Sequence, residues 1–165
     1  MLIDAGIDCI EHGTGLTEDL LPGMAARGTA VVPTLVNVEN FPGFAAAGEA
    51  KFPAYASTMR RLYAGSGAVV RAAYEAGVPV FAGTDAGGGI DHGVIADEVR
   101  ALRDAGLPAE AAVGAASWAA REWLGLGGIT EGASADLVVY AADPRADLDT
   151  LQRPQRTVLR GVVVG

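Results

Sequence analysis

Residues 80–87, Val-Phe-Ala-Gly-Thr-Asp-Ala-Gly, predict the end of a buried strand and decide the fold class of this chain. An apolar run of strand length leads into a turn of small residues, and Asp85 stands where the strand stops. A helical pattern follows. In parallel α/β folds, catalytic side chains project from the carboxyl ends of the strands. Asp85 is therefore the first candidate for a chemical role.

A second strand end of the same kind lies near the start of the chain. Cys9–Glu11 predicts a short buried strand, and His12 follows it before the turn Gly13-Thr14-Gly15. His12 and Ile10 share one face because side chains alternate along a strand. The pattern fits a metal-binding imidazole, although a lone histidine in a loop is the more common cause of such a pattern. Asp85 likewise fits either a carboxylate that binds metal or accepts a proton, or a simple turn or helix cap.

Strand and helix patterns alternate through the first 128 residues. Residues 37–53 interrupt them with several Asn, Pro and Gly residues and predict a long loop at a strand end. The predicted order is a helix tail in 2–8 ending at Gly6, strand 9–11, a helix capped by Thr17 and ending near Gly28, strand 30–32, helix 54–76, a strand through Val80, a helix to Ala105, a helix after Leu107, and a short helix capped by Ser117. This alternation predicts an α/β fold with a parallel sheet covered by helices.

The sequence changes character after Gly127-Gly128. Residues 135–140 predict a strand, Asp143-Pro144 breaks it, and residues 157–160 and 162–164 predict two more strands around Gly161. We therefore expect a separate small β unit with a boundary near residue 128.

Composition excludes several classes of protein. The chain has 165 residues, half of them apolar, which is ample for a core, and its 12 Lys and Arg against 20 Asp and Glu give a net charge of −8. An acidic chain without a basic cluster argues against nucleic-acid or anionic-membrane partners. The single cysteine, the absence of a signal-like start and the absence of a membrane-length apolar run predict a cytoplasmic protein.

Other polar residues near the two strand ends are weaker candidates. His92 lies seven residues after Asp85 in a glycine-rich loop, where it could contact a substrate or simply face solvent. Asn37 and Asn40 could touch substrate from the predicted loop, although turn formation explains both. Asp91 could be counted as a further metal ligand, but its spacing does not require it.

Two residues beside His12 are assigned to packing. Glu11 alternates away from His12 and is expected to lie behind the site. Cys9 is expected in the core, because a cysteine nucleophile needs an activating base and the sequence places none near it.

Several stretches together resemble the amidohydrolase superfamily, with the imidazolonepropionase-like and Xaa-Pro dipeptidase (prolidase)-like members as the nearest branch. The matching stretches are Gly6-Ile7-Asp8-Cys9-Ile10-Glu11-His12-Gly13, Gly77-Val78-Pro79-Val80, Gly83-Thr84-Asp85-Ala86-Gly87, His92-Gly93, Ala115-Ala116-Ser117-Trp118-Ala119-Ala120, Leu124-Gly125, and Gly128-Ile129-Thr130-Glu131-Gly132-Ala133-Ser134-Ala135-Asp136-Leu137-Val138-Val139. They run in order along almost the whole chain.

The resemblance implies a metal-dependent hydrolase with a (β/α)8 TIM-like barrel and a small β-sandwich. Residues 1–128 would supply a partial barrel, its last three β/α units, and residues 129–165 the C-terminal strands of the sandwich. His12 would bind a divalent metal, and Asp85 would bind metal and carry the proton of the attacking water. His92 would contact the substrate, for which Asn37 is a second candidate.

The resemblance also implies that part of the enzyme is missing from this sequence. The superfamily's earlier ligands are a His-x-His pair, often a carboxylated lysine, and a further histidine, and none of them has a counterpart here. A full barrel needs about 250 residues. The chain is thus expected to be a C-terminal fragment that is weakly active or inactive alone.

The leading hypothesis is a hydrolase that cleaves carbon–nitrogen bonds in an amide, cyclic amide or dipeptide. Its cofactor would be a divalent metal, zinc by preference, with one or two ions in the complete enzyme, and its substrate a small molecule. The first alternative is a non-catalytic subunit or remnant that completes a barrel with another chain, either the missing N-terminal half or a copy of itself. The second alternative is an independent α/β binding domain that closes its own sheet.

Overall fold

The computed structural model describes residues 2–165, and its first sheet is parallel. Strand β1 (Cys9–Glu11) pairs with β2 (Ala30–Val32), with Ile10 opposite Val31. The strand predicted through Val80 is only an isolated parallel bridge, which joins Val80 to Val31 on the other side of β2. The Phe81 amide donates to the Val31 carbonyl at 3.0 Å, so the segment carrying residues 80–87 lies beside β2. The carboxyl ends of all three segments therefore meet at one edge.

Seven α-helices are present among residues 2–165, and most follow the predicted pattern. They are α1 (Leu21–Arg27), α2 (Leu35–Val38), α3 (Phe41–Gly48), α4 (Pro53–Glu75), α5 (Ile95–Asp104), α6 (Ala109–Ala115) and α7 (Trp118–Trp123). Gly28 and Gly77 end α1 and α4 with φ values of 70° and 80°, the left-handed conformation in which glycine is least strained.

The structure corrects three local predictions. Residues 37–53 are not a long loop, because α2, α3 and the start of α4 occupy most of them. Residues 2–6 form turns rather than the tail of a helix. Neither predicted helix cap forms: Thr17 precedes a 3₁₀ helix at Glu18–Leu20 without a side-chain capping hydrogen bond, and the Ser117 hydroxyl donates to the Val113 carbonyl instead.

The core lies between the parallel sheet and its helices. β2 is nearly inaccessible, with Ala30 0% and Val31 2% exposed, because it has a neighbour on both sides. Apolar faces of the helices cover it, and the largest fully buried apolar side chains there include Met24, Val99 and Leu102. Burying these surfaces supplies most of the free energy that orders such short strands.

The second sheet is antiparallel and consists of the last three strands. β3 (Leu137–Val139) pairs with β4 (Arg156–Leu159), which pairs with β5 (Val162–Val163) through the turn Arg160-Gly161. A 3₁₀ helix at Leu148–Gln152 precedes β4 and contacts α5. The sheet confirms the strands expected after residue 128.

The chain is thus a mixed α/β protein with one parallel and one antiparallel sheet. Within residues 2–165, no helix combines the length and the apolar character that crossing a membrane would require.

Candidate active site

Three residues that follow β1, β2 and the Val80 bridge have an unusual backbone conformation. His12, Thr34 and Asp85 have φ values of 90°, 48° and 53°, in the left-handed region that side chains with a Cβ rarely adopt. Thr34 is β-branched, and β-branched residues occur in this region more rarely than histidine or aspartate. Arg160 is the other non-glycine residue of this kind among residues 2–165, and it lies in the distant β4–β5 turn. Strain collected at one sheet edge is typical of functional sites.

His12 is held at the end of β1 by contacts to β2 and the residues after it. Its backbone amide donates to the Val32 carbonyl at 3.0 Å. Its ring Nδ1 lies 2.7 Å from the Thr34 hydroxyl, and the exposed ring makes no hydrogen bond through Nε2 to any residue in 2–165. Thr34 itself is buried, with 2% exposed. Nε2 is therefore the ring nitrogen that remains available to a ligand.

Asp85 is held by the same segment of chain. The Asn37 side-chain amide donates to Asp85 Oδ2 at 2.7 Å. The Asn37 backbone amide in turn donates to the Thr34 carbonyl at 2.8 Å, so Thr34 and Asn37 are the two ends of one hydrogen-bonded turn. We call residues 34–37 the bridging turn, because one end contacts His12 and the other contacts Asp85.

Two glycines let the strand ends approach one another. A Cβ at Gly13 would lie 2.9 Å from Val31 Cγ2, and one at Gly83 would overlap Val32 Cγ1. Each glycine is within two residues of a candidate residue, His12 or Asp85. The small residues predicted as turn formers are thus required here by close packing as well.

Glu98 of α5 lies beneath the bridging turn and was not predicted from the sequence. Its side chain is fully buried, and its two carboxylate oxygens accept hydrogen bonds from the backbone amides of Leu35 and Val36, each at 2.9 Å. Burial raises the pKa of the Glu98 carboxyl, while the two amide hydrogen bonds act in the opposite direction.

The signal for Glu98 was present in the helix pattern. Glu98 lies one turn before Leu102 and beside Val99, on the face of α5 that also buries Ala96. An acid in the first turn of a helix ordinarily indicates a favourable helix-dipole position in solvent. Its place on the apolar stripe, and not its residue type, was the feature that could have revealed it.

The other predicted polar residues are less closely tied to this edge. His92 packs over Gly87, where a Cβ would lie 3.8 Å from His92 Cε1, and it makes no side-chain hydrogen bond within residues 2–165. Asn40 donates to Asn37 Oδ1 at 3.3 Å and so supports the bridging turn from outside. Asp91 is exposed on the loop that carries His92.

Cys9 and Glu11 contact each other rather than the site. The Cys9 thiol donates to Glu11 Oε1 at 3.2 Å, and burial followed by this hydrogen bond raises the pKa of Cys9 to about 12. A thiol with so high a pKa is a poor nucleophile at neutral pH. Cys9 is only half-buried and does not belong to the core cluster, so the prediction that it lies in the core is wrong. Glu11 is exposed, so the interpretation that it packs behind the site is wrong as well.

The donor set at this edge fits part of a metal site. An imidazole nitrogen and a carboxylate oxygen are ligands that zinc accepts. In the part of the chain that the structure describes, however, no group of three or more His, Cys, Asp and Glu side chains could hold a metal ion. His12 and Asp85 would supply two ligands of a larger set.

The fold and the site together define the class of this protein, which is an α/β protein with strained polar residues at the carboxyl edge of a parallel sheet. Comparison with known sequences identifies its family. The sequence profile of the amidohydrolase family matches residues 1–164, and the chain belongs to this family.

The curated relatives that the chain matches are uncharacterized mycobacterial proteins. One from Mycobacterium tuberculosis (strain ATCC 25618 / H37Rv) and one from Mycobacterium bovis are each 59% identical over 165 residues. The match covers 99% of this chain and 44% of each relative. The chain therefore spans less than half the length of these relatives.

Solved structures similar to this chain include prolidase-like amidohydrolases, which confirms the resemblance inferred from the sequence. A Xaa-Pro dipeptidase with bound methionine in its active site has a TM-score of 0.84 at 27% identity, over 98% of this chain and 41% of its own. A prolidase complexed with N-methylphosphonate-L-proline has a TM-score of 0.81 at 27% identity, and the match covers 98% of this chain and 41% of that chain. Ochratoxinase of A. niger has a TM-score of 0.80 at 25% identity, and the match covers 98% of this chain and 38% of that chain.

Proposed function

We propose that this chain carries part of the active site of a metal-dependent hydrolase that cleaves carbon–nitrogen bonds with water. The observation that supports the proposal best is the bridging turn, which holds His12 at one strand end and Asp85 at another. Because His12 and Asp85 both contact this one turn, a single site that contains both residues is favoured over an independent binding domain in which the two are unrelated. Family membership and the prolidase-like neighbours support an amide, cyclic amide or dipeptide as the substrate.

His12 Nε2 and Asp85 Oδ1 are the atoms that would hold the metal, because Thr34 and Asn37 engage the other polar atom of each side chain. A divalent ion, zinc by preference and one or two per complete site, lowers the pKa of water and polarises a carbonyl group. Thr34 would accept the Nδ1 proton of His12, which fixes the tautomer with a free Nε2.

Asp85 would also move the proton. Hydrolysis adds the water oxygen to the carbonyl carbon, breaks the carbon–nitrogen bond and leaves one proton for the departing nitrogen. An exposed carboxylate oriented by Asn37 can accept that proton from the attacking water and donate it to the nitrogen. His92 would contact the substrate from the adjacent glycine-rich loop. Asn37, already within reach of Asp85, is the second substrate-contacting candidate.

We further propose that residues 1–128 form the last three units of a barrel and residues 129–165 part of a small sandwich. Among residues 2–165, no further strand pairs with the outer edge of β1 or with the outer edge of the Val80 segment. An open space of about 530 Å³ adjoins Ile10 and Leu16 on the β1 side, and one of about 770 Å³ adjoins Val80 and Phe81 on the other. Further polypeptide, from a longer chain or from a partner subunit, would cover both edges and supply the remaining metal ligands. We expect the complete enzyme to act in the cytoplasm.

The test of the site is a zinc titration of the ¹⁵N-labelled 165-residue chain. The chain has two histidines, so His92→Gln leaves the His12 ring as the one imidazole signal. We expect Zn²⁺ to shift the His12 Nε2 resonance, and Asp85→Asn to weaken binding at least tenfold. Asp97→Asn, which neutralises an exposed carboxylate on α5, is the matched control and should change the affinity less than twofold. Equal affinities in the two variants would refute the site.

Activity is tested with the same chain and Xaa-Pro dipeptides. Because residues 2–165 hold no set of three ligands, zinc-dependent hydrolysis by the chain alone should not exceed that of His12→Ala. Strong metal-dependent turnover by the isolated chain would contradict the incomplete ligand set.

A further inference from the structure

Glu98 is a buried acid without a cation beside it. The ion pairs of residues 2–165 do not include Glu98, and its two oxygens are engaged by backbone amides alone. Burying an apolar residue at this place in the core would cost less free energy than burying a carboxylate. The arrangement therefore points to a specific use of the carboxylate.

The carboxylate replaces the ordinary cap of α2. Leu35 and Val36 are the first residues of that helix, and their amides have no partner within it. A threonine in the place of Thr34, directly before the helix, would normally accept the Val36 amide with its hydroxyl from an extended backbone conformation. Thr34 instead has φ 48° and ψ 48° and makes no capping hydrogen bond. Its hydroxyl is directed to His12 Nδ1.

We propose that Glu98 is a positioning residue for the candidate site: by capping the amides of Leu35 and Val36 it fixes the bridging turn and frees Thr34 to orient His12. The same turn ends at Asn37, which orients Asp85. One buried carboxylate thereby fixes the orientation of two candidate ligands that lie on different segments of the sheet. Glu98 touches neither ligand and reaches both through the backbone.

The functional consequence rests on the proposed metal-binding role of His12 and Asp85. Groups that orient metal ligands from outside commonly change metal affinity about 10- to 100-fold when they are removed. The geometric part, in which Glu98 orders the turn and the turn orders the two side chains, does not depend on a metal.

The geometric part is tested on the metal-free, ¹⁵N-labelled 165-residue chain. Glu98→Gln keeps the size of the side chain but turns one acceptor into a donor facing an amide. We expect hydrogen exchange of the Leu35 and Val36 amides to accelerate at least tenfold. The His12 ring nitrogens should shift towards a mixture of tautomers, and the Asn37 side-chain amide signals should move. Asp97→Asn removes the neighbouring exposed charge from the same helix and should leave all these signals unchanged.

A second variant keeps the test decisive if Glu98→Gln does not fold, which loss of exchange protection at Leu102 would reveal. Thr34→Val preserves shape and removes only the hydroxyl. It should shift the His12 ring signals and leave the Leu35 and Val36 amides protected. An unchanged His12 ring in Thr34→Val, or in a folded Glu98→Gln with exposed amides, would overturn the proposal.

Zinc titration separates this proposal from the proposed function. Glu98→Gln should weaken Zn²⁺ binding at least tenfold relative to Asp97→Asn. Equal affinity in these two variants would refute the positioning role, although the metal site would stand. Absence of binding to the wild-type chain, with the tautomer and exchange effects present, would refute the metal site and leave the positioning role supported.

Discussion

Buried Glu98 illustrates how a single residue can cost stability and still serve the site. Its carboxylate leaves water entirely, and two amide hydrogen bonds offset part of that cost. The raised pKa of Glu98 shows that desolvation outweighs these hydrogen bonds. No charged neighbour contributes to this shift, so the carboxylate depends on the bridging turn for its stabilisation.

The raised pKa predicts how stability changes with pH. The folded chain holds the Glu98 proton more tightly than the unfolded chain does. The contribution of Glu98 to the free energy of unfolding is therefore greatest below the usual glutamate pKa, and it falls as pH rises through the raised pKa. Urea unfolding across this range should show a fall in the wild type that is absent in Glu98→Gln. Parallel curves for the two proteins would contradict the prediction.

The candidate residues themselves were only partly accessible to sequence reasoning. His12 and Asp85 were predicted because each follows an apolar run of strand length, and the sheet does bring the two strand ends to one edge. Thr34 and Glu98 were missed because their roles depend on contacts between residues 22 and more than 60 positions apart. Such contacts leave no periodic pattern along the chain. The metal-binding and substrate roles stay predictions.

At the level of elements, glycine residues allow neighbouring segments of the parallel sheet to pack closely at their carboxyl ends. The Gly83 segment runs so close to β2 that a Cβ there would overlap Val32 Cγ1. Gly88, in the following loop, has no atom within 4 Å of the place where its Cβ would be. The two positions are a natural pair for comparing close packing with simple loop flexibility.

We expect Gly83→Ala to separate the Val80 segment from β2 and to destabilise the chain by about 1 to 3 kcal/mol, the usual cost of overpacking. Gly88→Ala should change the free energy of unfolding by less than about 0.5 kcal/mol, as surface substitutions do. Urea unfolding of the two variants measures the difference. Equal stability would show that the strand ends can shift apart without cost.

Element prediction succeeded where a pattern was long and failed where residue type misled. Helix α4 was predicted almost to its ends because its apolar face repeats over 23 residues and Gly77 ends it. Residues 37–53 were predicted as a loop because Asn, Pro and Gly usually break helices. Proline is tolerated in the first turn of a helix, however, and Pro42 and Pro53 both lie there.

At the scale of the whole molecule, apolar surface remains uncovered at the sheet edge beside Val80. Trp118 and Trp123 of α7 are 45% and 40% exposed, and Trp123 packs on Phe81 with 5.2 Å between ring centroids. Unpaired strand edges and exposed aromatic side chains favour association with other chains.

The isolated chain should therefore bind the dye ANS and self-associate as its concentration rises. Trp118→Gln should lower the ANS fluorescence by removing apolar surface at this edge. Phe44→Gln, which changes an equally exposed apolar residue on α3, is the control and should have little effect. Sedimentation velocity measures the association. A monodisperse monomer that binds no ANS would contradict the open edge.

The bridging turn also has an evolutionary consequence. Because Thr34 and Asn37 belong to one short helical turn, the surroundings of His12 and Asp85 cannot drift separately. A substitution at His12 alters the selective value of a substitution at Asp85, because both side chains contact the same turn. This is epistasis between positions that are 73 residues apart in the chain. Lineages of this family should thus exchange Thr34, Asn37 and Glu98 as a set, and single replacements should persist only briefly.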